Sequence, residues 1–335
     1  MSSIRISVVI ATCNRARFLE SCLNSLEKQS LDKDLFEVIV VNDGSTDSTS
    51  QLLDDFKKKT SIHFRYINQE NRGVSFARNV GIDNAKGEYI AFTDDDCIAP
   101  VDWLKKMYQL FSQAGENVAG VGGPLDCITM NKDSYIAHFI QFIDEFNYIP
   151  VLRKHFIRYV HTSQLKGTEQ IPYLRTSNAM FRKKYLKEVG GFDVNFKRPG
   201  GEDPDLCYRL LNKGYSFHFD KDLRMLHCSR EKFADYFKSL KNYIKGEVWK
   251  SRKRHIYNNR IVRRSYQFII AQKLLSVLLS FCKYPFSVIK LLNDERYSCL
   301  ERVTFPLIIV ASKIYALFVA LFFYVTRTKR QLLFV

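Results

Sequence analysis

Four apolar, strand-length runs alternate with helix-length segments near the start of the chain. The runs are ISVVIAT (6–12), FEVIVVND (36–43), IHFRYIN (62–68) and EYIAFTD (88–94). The first helical segment, RARFLESCLNSLEKQ (15–29), has its apolar side chains on one face, and Asn14 is its predicted N-cap. Continuous β-branched runs that alternate with helices are typical of a parallel sheet covered on both faces. The sequence therefore predicts an α/β fold with a mostly parallel sheet.

Polar side chains follow three of these runs, at the point where each predicted strand ends. They are Thr12, Cys13 and Asn14, then Asn42, Asp43 and Gly44, and finally Asp94, Asp95 and Asp96. Each group alone could form an ordinary turn. However, the carboxyl ends of parallel strands meet at one sheet edge, where ligands bind. Because burying adjacent carboxylates is costly without a compensating cation, the pattern favours a ligand site that contains a cation.

The length and cysteine content limit the class of protein. The chain has 335 residues, which fits one large domain or two smaller ones, and its 46% hydrophobic content excludes a disordered chain. The eight cysteines contain no CxxC pair and show no regular spacing. This pattern argues against a disulfide framework or a zinc site, and it fits a reducing compartment.

The positive charge is concentrated at the C-terminal end. Residues 250–335 contain 16 Lys and Arg but three Asp and Glu, a net charge of +13 out of +16 for the chain. An evenly basic protein would indicate nucleic acid as the partner. A nearly neutral body with a basic, apolar tail indicates an anionic membrane surface instead, so no nucleic-acid partner is expected.

Two apolar segments lie within this tail. They are QFIIAQKLLSVLLSF (267–281) and TFPLIIVASKIYALFVALFFYV (304–325), the second with Lys313 near its centre. A span needs about 20 residues, and a central Lys costs about 2.5–3.5 kcal/mol, so 304–325 either crosses the membrane or lies in its interface. Basic clusters at 250–264 and 326–330 flank the pair. The positive-inside rule then predicts the cytoplasmic face of the plasma membrane, with peripheral attachment or a helical hairpin.

Four stretches together resemble the family 2 glycosyltransferases of the GT-A fold, which are inverting enzymes that use nucleotide-diphosphate sugars. They are SVVIATCNRARFLESCLNSL, VIVVNDGSTDST, NRGVSFARNVGIDNAKGEYIAFTDDDC and GGFDVNFKRPGGEDPDLCYRLLNKGY, and they span roughly residues 6–229. The resemblance implies a GT-A domain at 1–230, with a nucleotide-binding half at about 1–100 and an acceptor half at about 101–230. A membrane-associating region at 231–335 would follow. The implied reaction moves a sugar, with a UDP-sugar favoured, to a hydroxyl of a lipid-linked or polysaccharide acceptor in cell-surface glycan synthesis.

The resemblance also identifies a metal site. The aspartate triplet corresponds to the DxD motif of the family, and Asp96 is the implied ligand of Mn²⁺ or Mg²⁺. Asp94 or Asp95 is expected to contact the ribose or support the metal, and His227 either completes the site or is structural. Oxygen ligands suit these cations. Because the carboxylates and the donor diphosphate are both negatively charged, a divalent cation is needed to bridge them.

Further residues of the donor site follow from the same resemblance. Asp43 is expected to read the base, which can be uracil or guanine, while the main chain of Ala11, Thr12, Cys13 and Asn14 flanks the base and ribose. Arg72 and Arg78 correspond to basic positions of the family; one can neutralise phosphate, or Arg78 can support the triplet structurally. Asn178 corresponds to a position that faces the sugar or acceptor.

An inverting transfer needs a general base for the acceptor hydroxyl. The ED motif of the family corresponds to Glu202 and Asp203, with Asp203 as the implied base and Glu202 orienting the acceptor or the loop. Acidic residues and Pro204 at a helix start are also ordinary capping chemistry. A dinucleotide-binding oxidoreductase is disfavoured, because the first strand is not followed by the GxGxxG motif of that class; the sequence ATCNRA stands in its place. A phosphatase with a nucleophilic aspartate would need a carboxylate there.

Overall fold

The computed structural model describes residues 4–128, 135–136, 139, 168–170, 173–228, 232–252 and 298–331. The chain divides into two compact units. The first comprises Met1–Ile128 with Val160–Cys228, and the second comprises Thr129–Tyr159 with Ser229–Val335. The predicted apolar segment at 267–281 and most of the basic run at 250–264 lie outside the described residues.

A mixed sheet forms the centre of the first unit. Its strands are β1 (Ile6–Thr12), β2 (Phe36–Asp43), β3 (His63–Gln69), β4 (Tyr89–Phe92), β6 (Val118–Gly122), β8 (Thr168–Gln170), β9 (Ala179–Arg182) and β10 (Ser216–Asp220). They are arranged in the order β3-β2-β1-β4-β9-β6-β10-β8. Strands β1 to β4 are parallel to one another, whereas β9 runs antiparallel to both neighbours. The predicted α/β fold is confirmed, with the parallel strands β1 to β4 in the N-terminal part of the sheet.

A smaller sheet lies in the same unit. Its strands are β5 (Cys97–Ile98), β7 (Leu125–Ile128) and β11 (Met225–Cys228), in the order β5-β11-β7. Strand β11 pairs antiparallel with β5, and His227 stands opposite Cys97. This pairing brings Cys97, which directly follows the aspartate triplet, next to His227, which lies 130 positions later in the chain.

Helices cover both faces of the central sheet. They are α1 (Ala16–Glu27), α2 (Thr49–Lys59), α3 (Val74–Asn84), α4 (Trp103–Gln113), α5 (Lys183–Glu188) and α6 (Glu202–Asn212). Alternate residues of β1 enter two separate cores: Val8 packs with Leu23 of α1, and Val9 packs in the core that contains Ala77 of α3. Each such side chain contributes roughly 1.5–3 kcal/mol through its burial.

The start of α1 differs from the sequence-based expectation. The prediction that Asn14 caps this helix is wrong, because Arg15 occupies the N-cap position, and the first helical amide, of Ala16, donates to Asp47 Oδ2 at 3.2 Å. Asn14 instead has a left-handed backbone, with φ of 55°. Its Oδ1 accepts hydrogen bonds from the backbone amides of Thr46 and Asp47. The residue thus ties the loop after β1 to the loop after β2.

The second unit contains two long helices, α7 (Phe233–Arg252) and α8 (Cys299–Gln331). Aromatic rings of α7 and α8 pack around Phe139, whose ring centre lies 5.2 Å from Phe233 and 5.5 Å from Phe305. Within the described helices, Leu300–Val319 is the stretch long and apolar enough to cross a membrane, with a mean hydropathy of 1.7. Much of the predicted segment 304–325 falls within it.

Gly81 allows α3 to lie close to β1. A Cβ atom at this position would meet Cγ1 of Val9 at 2.2 Å. An exposed helical glycine usually gains stability when it is replaced by alanine. At Gly81 we expect the opposite: Gly81→Ala should lower the free energy of unfolding by roughly 1–3 kcal/mol through overpacking, as measured by urea denaturation. Gly115→Ala, at an exposed glycine, is the control, and a Gly81→Ala protein as stable as wild type would contradict the packing.

Candidate active site

The ends of β1 and β4 meet at the aspartate triplet. Thr12 Oγ1 donates a hydrogen bond of 2.7 Å to Asp95 Oδ2. Arg15 places Nε 2.9 Å from Asp95 Oδ1, and its Nη2 contacts Asp96 Oδ2. Sequence reasoning missed Arg15, although a cation directly after the first strand was a usable signal. The triplet is therefore a partly buried, ion-paired structure and not a solvated turn.

Burial and neighbouring charges separate the acidities of two triplet members. Burial raises the pKa of Asp95 above its usual range, although Arg15 opposes this, and the charge of Asp96 adds to the rise. Burial would also raise the pKa of Asp96, but His227 and Arg15 hold that pKa well below its usual range. The partners of Asp96 thus favour its charged form, whereas burial favours the neutral form of Asp95.

Asp96, Cys97 and His227 form a group of three possible metal ligands. One ligand atom from each lies within 4.8 Å of the other two. The Nε2 atom of His227 is 3.3 Å from Asp96 Oδ1, and the backbone amide of Cys228 donates to the carbonyl oxygen of Asp96 at 2.8 Å. Oδ1 of Asp96 is buried, and its close contact among the described residues is the imidazole of His227. A buried carboxylate oxygen that faces an imidazole nitrogen fits a divalent cation held between the two.

Arg78, on α3, links the triplet to the start of α6. Its Nη2 is 3.0 Å from Asp94 Oδ1, and its Nη1 is 2.9 Å from Glu202 Oε1 and 3.5 Å from Asp203 Oδ1. These carboxylates raise the pKa of Arg78 although its burial acts in the other direction. Because the guanidinium is buried and paired with three carboxylates, the geometry favours the supporting role for Arg78 over direct phosphate binding.

The two carboxylates at the start of α6 have different surroundings. Glu202 accepts from Arg78 through Oε1 and from the amide of Gly200 through Oε2, and its side chain is 4% exposed. Asp203 accepts from the Thr176 hydroxyl at 2.9 Å and the Thr176 amide at 3.1 Å, and 17% of its side chain is exposed. Burial and the charge of Glu202 raise the pKa of Asp203 to about 7, with Arg78 opposing them. Asp203 is thus the more accessible member of the pair.

Asp43, at the end of β2, organises the loop before α3. Its Oδ1 accepts from Gln69 Nε2 at 2.7 Å and from the amide of Arg72 at 2.8 Å, and its Oδ2 accepts from the amide of Gly73 at 2.9 Å. The guanidinium of Arg72 lies 3.4 Å from the centre of the Phe76 ring. The described contacts of Asp43 are therefore to protein groups, while Arg72 presents its side chain beside an aromatic face.

Asn178 has a different position from the other candidates. Its Oδ1 accepts from Trp103 Nε1 at 2.8 Å, and its Nδ2 donates to the carbonyl oxygens of Pro124 and Leu223. Only 1% of the residue is exposed. These bonds hold the turn between β6 and β7, so the structure gives no support to the expectation that Asn178 faces the sugar or acceptor.

The main-chain segment after β1 lies beside the loop that follows β3. Ala11 is part of β1, and the Cys13 sulfur accepts from Asn71 Nδ2 at 3.2 Å. The Asn71 amide also donates to the carbonyl oxygen of Asp43 at 2.9 Å. This side of the sheet edge therefore joins the ends of β1 and β2 to the segment that precedes α3.

The mostly parallel half of the sheet and its carboxylate-rich edge fit the GT-A class of fold, and sequence comparison identifies the family. Residues 7–190 match the family described as glycosyl transferase family 2, and residues 157–232 match the family described as N-terminal domain of galactosyltransferase. The first match covers more than half of the chain. The protein belongs to glycosyl transferase family 2.

Several curated proteins are similar to this chain. EpsH of Bacillus subtilis, named as a glycosyltransferase, is 32% identical over 158 residues, which are 45% of this chain and 44% of EpsH. Glycosyltransferase AglE of Haloferax volcanii is 28% identical over 243 residues, covering 72% of this chain and 73% of AglE. A glucosyl-dolichyl phosphate glucuronosyltransferase of the same organism is 26% identical over 236 residues, covering 67% and 69%. The matched segment thus spans less than half of EpsH.

Solved structures share the fold. A mannosyltransferase from Pyrobaculum calidifontis, in complex with GDP-Man and Mn²⁺, has a TM-score of 0.58 and 18% identity, covering 93% of this chain and 87% of that chain. Residues 1–349 of TarS from S. aureus, in complex with UDP, have a TM-score of 0.50 and 19% identity, covering 88% and 77%. The predicted GT-A fold is confirmed.

The bridge through Arg78 has a measurable energetic consequence. Replacing it with glutamine leaves the buried carboxylates around it without their cation, so Arg78→Gln should lower the free energy of unfolding by roughly 3–5 kcal/mol in urea denaturation. Arg72 lies just before the same helix, and its guanidinium packs on an aromatic ring. Arg72→Gln should therefore change the free energy of unfolding by less than about 1 kcal/mol. A loss of equal size in both variants would show that Arg78 has no special structural role.

Proposed function

We propose that this protein is an inverting glycosyltransferase that moves a sugar from a nucleotide-diphosphate sugar to an acceptor hydroxyl. The observation that carries the proposal is the link through Arg78, which joins the aspartate triplet to Asp203 within one carboxylate-rich edge. Such an edge can hold a donor diphosphate through a cation and an acceptor hydroxyl through a base. Family membership supports the reaction class.

Asp96 and His227 are the residues proposed to hold the divalent cation, Mn²⁺ or Mg²⁺, with Asp94 or Asp95 supporting it. When bound, the cation would neutralise the negative charge of the leaving diphosphate. Thr12 and Arg15 fix the neighbouring carboxylate, Asp95, so that the turn keeps its shape. Asp43, Arg72 and the main chain of Ala11, Thr12, Cys13 and Asn14 are proposed to surround the nucleotide.

Asp203 is the proposed general base. A carboxylate oxygen of Asp203 accepts the proton of the acceptor hydroxyl, whose oxygen bonds to the anomeric carbon as the bond from that carbon to the diphosphate breaks. Its greater exposure than that of Glu202 supports this role. Glu202 is proposed to hold Arg78 and the loop at Gly200, where it positions Asp203.

The acceptor is proposed to be a lipid-linked or polysaccharide hydroxyl at the cytoplasmic face of the plasma membrane. Helix α8 exposes the apolar side chains Leu300, Val303, Leu307, Phe318 and Leu321. The chain is also basic in its C-terminal segment. These features support contact with an anionic membrane, and the similarity to an enzyme named for a dolichyl phosphate substrate supports a lipid-linked acceptor.

Donor binding tests the cation site. The nucleotide can be uridine or guanosine diphosphate, since related folds were solved with UDP and with GDP-Man, and we favour UDP-sugars. Calorimetric titration of the full-length protein with UDP and GDP should show binding in Mn²⁺ that is lost in chelator. Asp96→Ala should abolish this binding, whereas Asp222→Ala, at an exposed turn, should leave it intact. Equal affinity of the Asp96→Ala protein in Mn²⁺ would overturn the metal assignment.

Transfer kinetics test the base. Asp203→Asn should reduce kcat by about 10²- to 10⁴-fold while the donor dissociation constant stays unchanged. Because Asp203 must lose its proton to act, and its pKa is raised to about 7, kcat/KM of the wild-type protein should fall as the pH drops below about 7 and level off above it. A residual Asp203→Asn activity that keeps this pH dependence, or transfer near the wild-type rate, would assign the base to another group.

A further inference from the structure

We propose that the thiol of Cys97 is a third protein ligand at the cation site of Asp96 and His227, and that this site accepts thiophilic divalent ions such as Zn²⁺ and Co²⁺. The location of the site rests on the proposed function. The participation of Cys97 is a separate claim, because the expected donor-site cations, Mn²⁺ and Mg²⁺, do not need a sulfur ligand.

The pairing of two short strands places Cys97 beside His227. Strands β5 and β11 run antiparallel, with these two residues directly opposite each other. Directly opposed residues project from the same face of a sheet, with their Cβ atoms about 4.5–5.5 Å apart. The side chains of Cys97 and His227 therefore share a face, next to the carboxylate of the preceding residue, Asp96.

The distances suit a small metal site. The three ligand atoms lie within 4.8 Å of one another, and the contact between Asp96 Oδ1 and His227 Nε2 is 3.3 Å. Tetrahedral coordination at ordinary zinc bond lengths of about 2.0–2.3 Å separates neighbouring ligands by roughly 3.3–3.8 Å. A contraction of at most about 1–1.5 Å between the ligand atoms would thus complete the geometry.

Asp96 has one oxygen available for this role. Arg15 contacts Oδ2, while Oδ1 is buried and faces the imidazole of His227 at 3.3 Å. Oδ1 is therefore the oxygen of Asp96 that lies toward the other two ligand atoms, on the side away from Arg15. A cation would lie between Oδ1, the imidazole and the thiol, and the thiol would release its proton to solvent as the sulfur–metal bond forms.

The ligand types determine which ion is preferred. One oxygen, one nitrogen and one sulfur ligand leave a fourth position open, a pattern found in catalytic zinc sites, where substrate or water completes the coordination. Thiolate and imidazole favour zinc and cobalt over magnesium. The absence of a CxxC pair argued against a zinc site in the sequence. That pattern detects ligands close together in sequence, whereas Cys97 and His227 come from strands that are distant in sequence.

Cobalt absorption tests the proposal directly. Full-length protein titrated with Co²⁺ alone should develop a saturable thiolate-to-cobalt charge-transfer band in the near ultraviolet, which Zn²⁺ should remove by displacement. Cys97→Ser should lose the band and bind Zn²⁺ at least about tenfold more weakly. Cys207→Ser, at a buried thiol that contacts the Leu174 backbone, should keep the band. If the Cys97→Ser protein does not fold, His227→Ala takes its place: loss of the band in that variant supports the site, and a band that persists there overturns it.

The alternative outcomes separate this inference from the proposed function. Co²⁺ binding without the band, or a band that persists in Cys97→Ser, would overturn the thiol ligand and leave the oxygen and nitrogen site intact. An absence of Co²⁺ binding in a protein that still binds UDP with Mn²⁺ would also overturn this inference alone. An absence of all cation and nucleotide binding would overturn the cation site of the proposed function as well.

Discussion

The compensation of buried negative charge is the constraint on which the rest of this site depends. Five carboxylates belong to the site: Asp94, Asp95, Asp96, Glu202 and Asp203. Two guanidinium groups, from Arg15 and Arg78, supply the positive charge that faces them in the described contacts, and His227 adds a third contact. Two fixed positive charges cannot neutralise five ionised carboxylates. Because unpaired buried charge is costly, the arrangement favours the addition of a cation and the partial protonation of some members.

The position of Arg78 follows from close packing elsewhere in the fold. Gly81, three residues later on α3, allows this helix to approach Val9 of β1. Residues three apart lie on the same face of a helix, so the approach that buries Gly81 also directs Arg78 toward the sheet. The guanidinium then reaches Asp94 after β4 and Glu202 at the start of α6. A packing interaction in the core thereby determines how the two acidic motifs are joined.

The sequence predicted the strands β1 and β2 to their exact ends, because continuous β-branched runs bounded by polar residues define buried strands clearly. The family resemblance likewise identified the acidic motifs, since their residues are local in sequence. It did not identify Arg15, whose partners lie 80 residues away, or the bonds of Asn178 to Trp103, Pro124 and Leu223. The pairing of Cys97 with His227 could not be read either, because the register of two short strands depends on tertiary packing.

Each of the two acidic motifs combines carboxylates that are paired with protein groups and one carboxylate that is not fully paired. In the triplet, Asp94 is paired with Arg78 and Asp95 is held by Thr12 and Arg15, which leaves Oδ1 of Asp96 for a ligand. At α6, Glu202 is paired through both oxygens, which leaves Asp203 the more exposed. Neighbouring carboxylates thus fix the backbone while one group in each motif stays available. Because Arg78 contacts Asp94, Glu202 and Asp203, a cation bound at the proposed site would act electrostatically on Asp203, and we expect donor binding to change the strength of the proposed base.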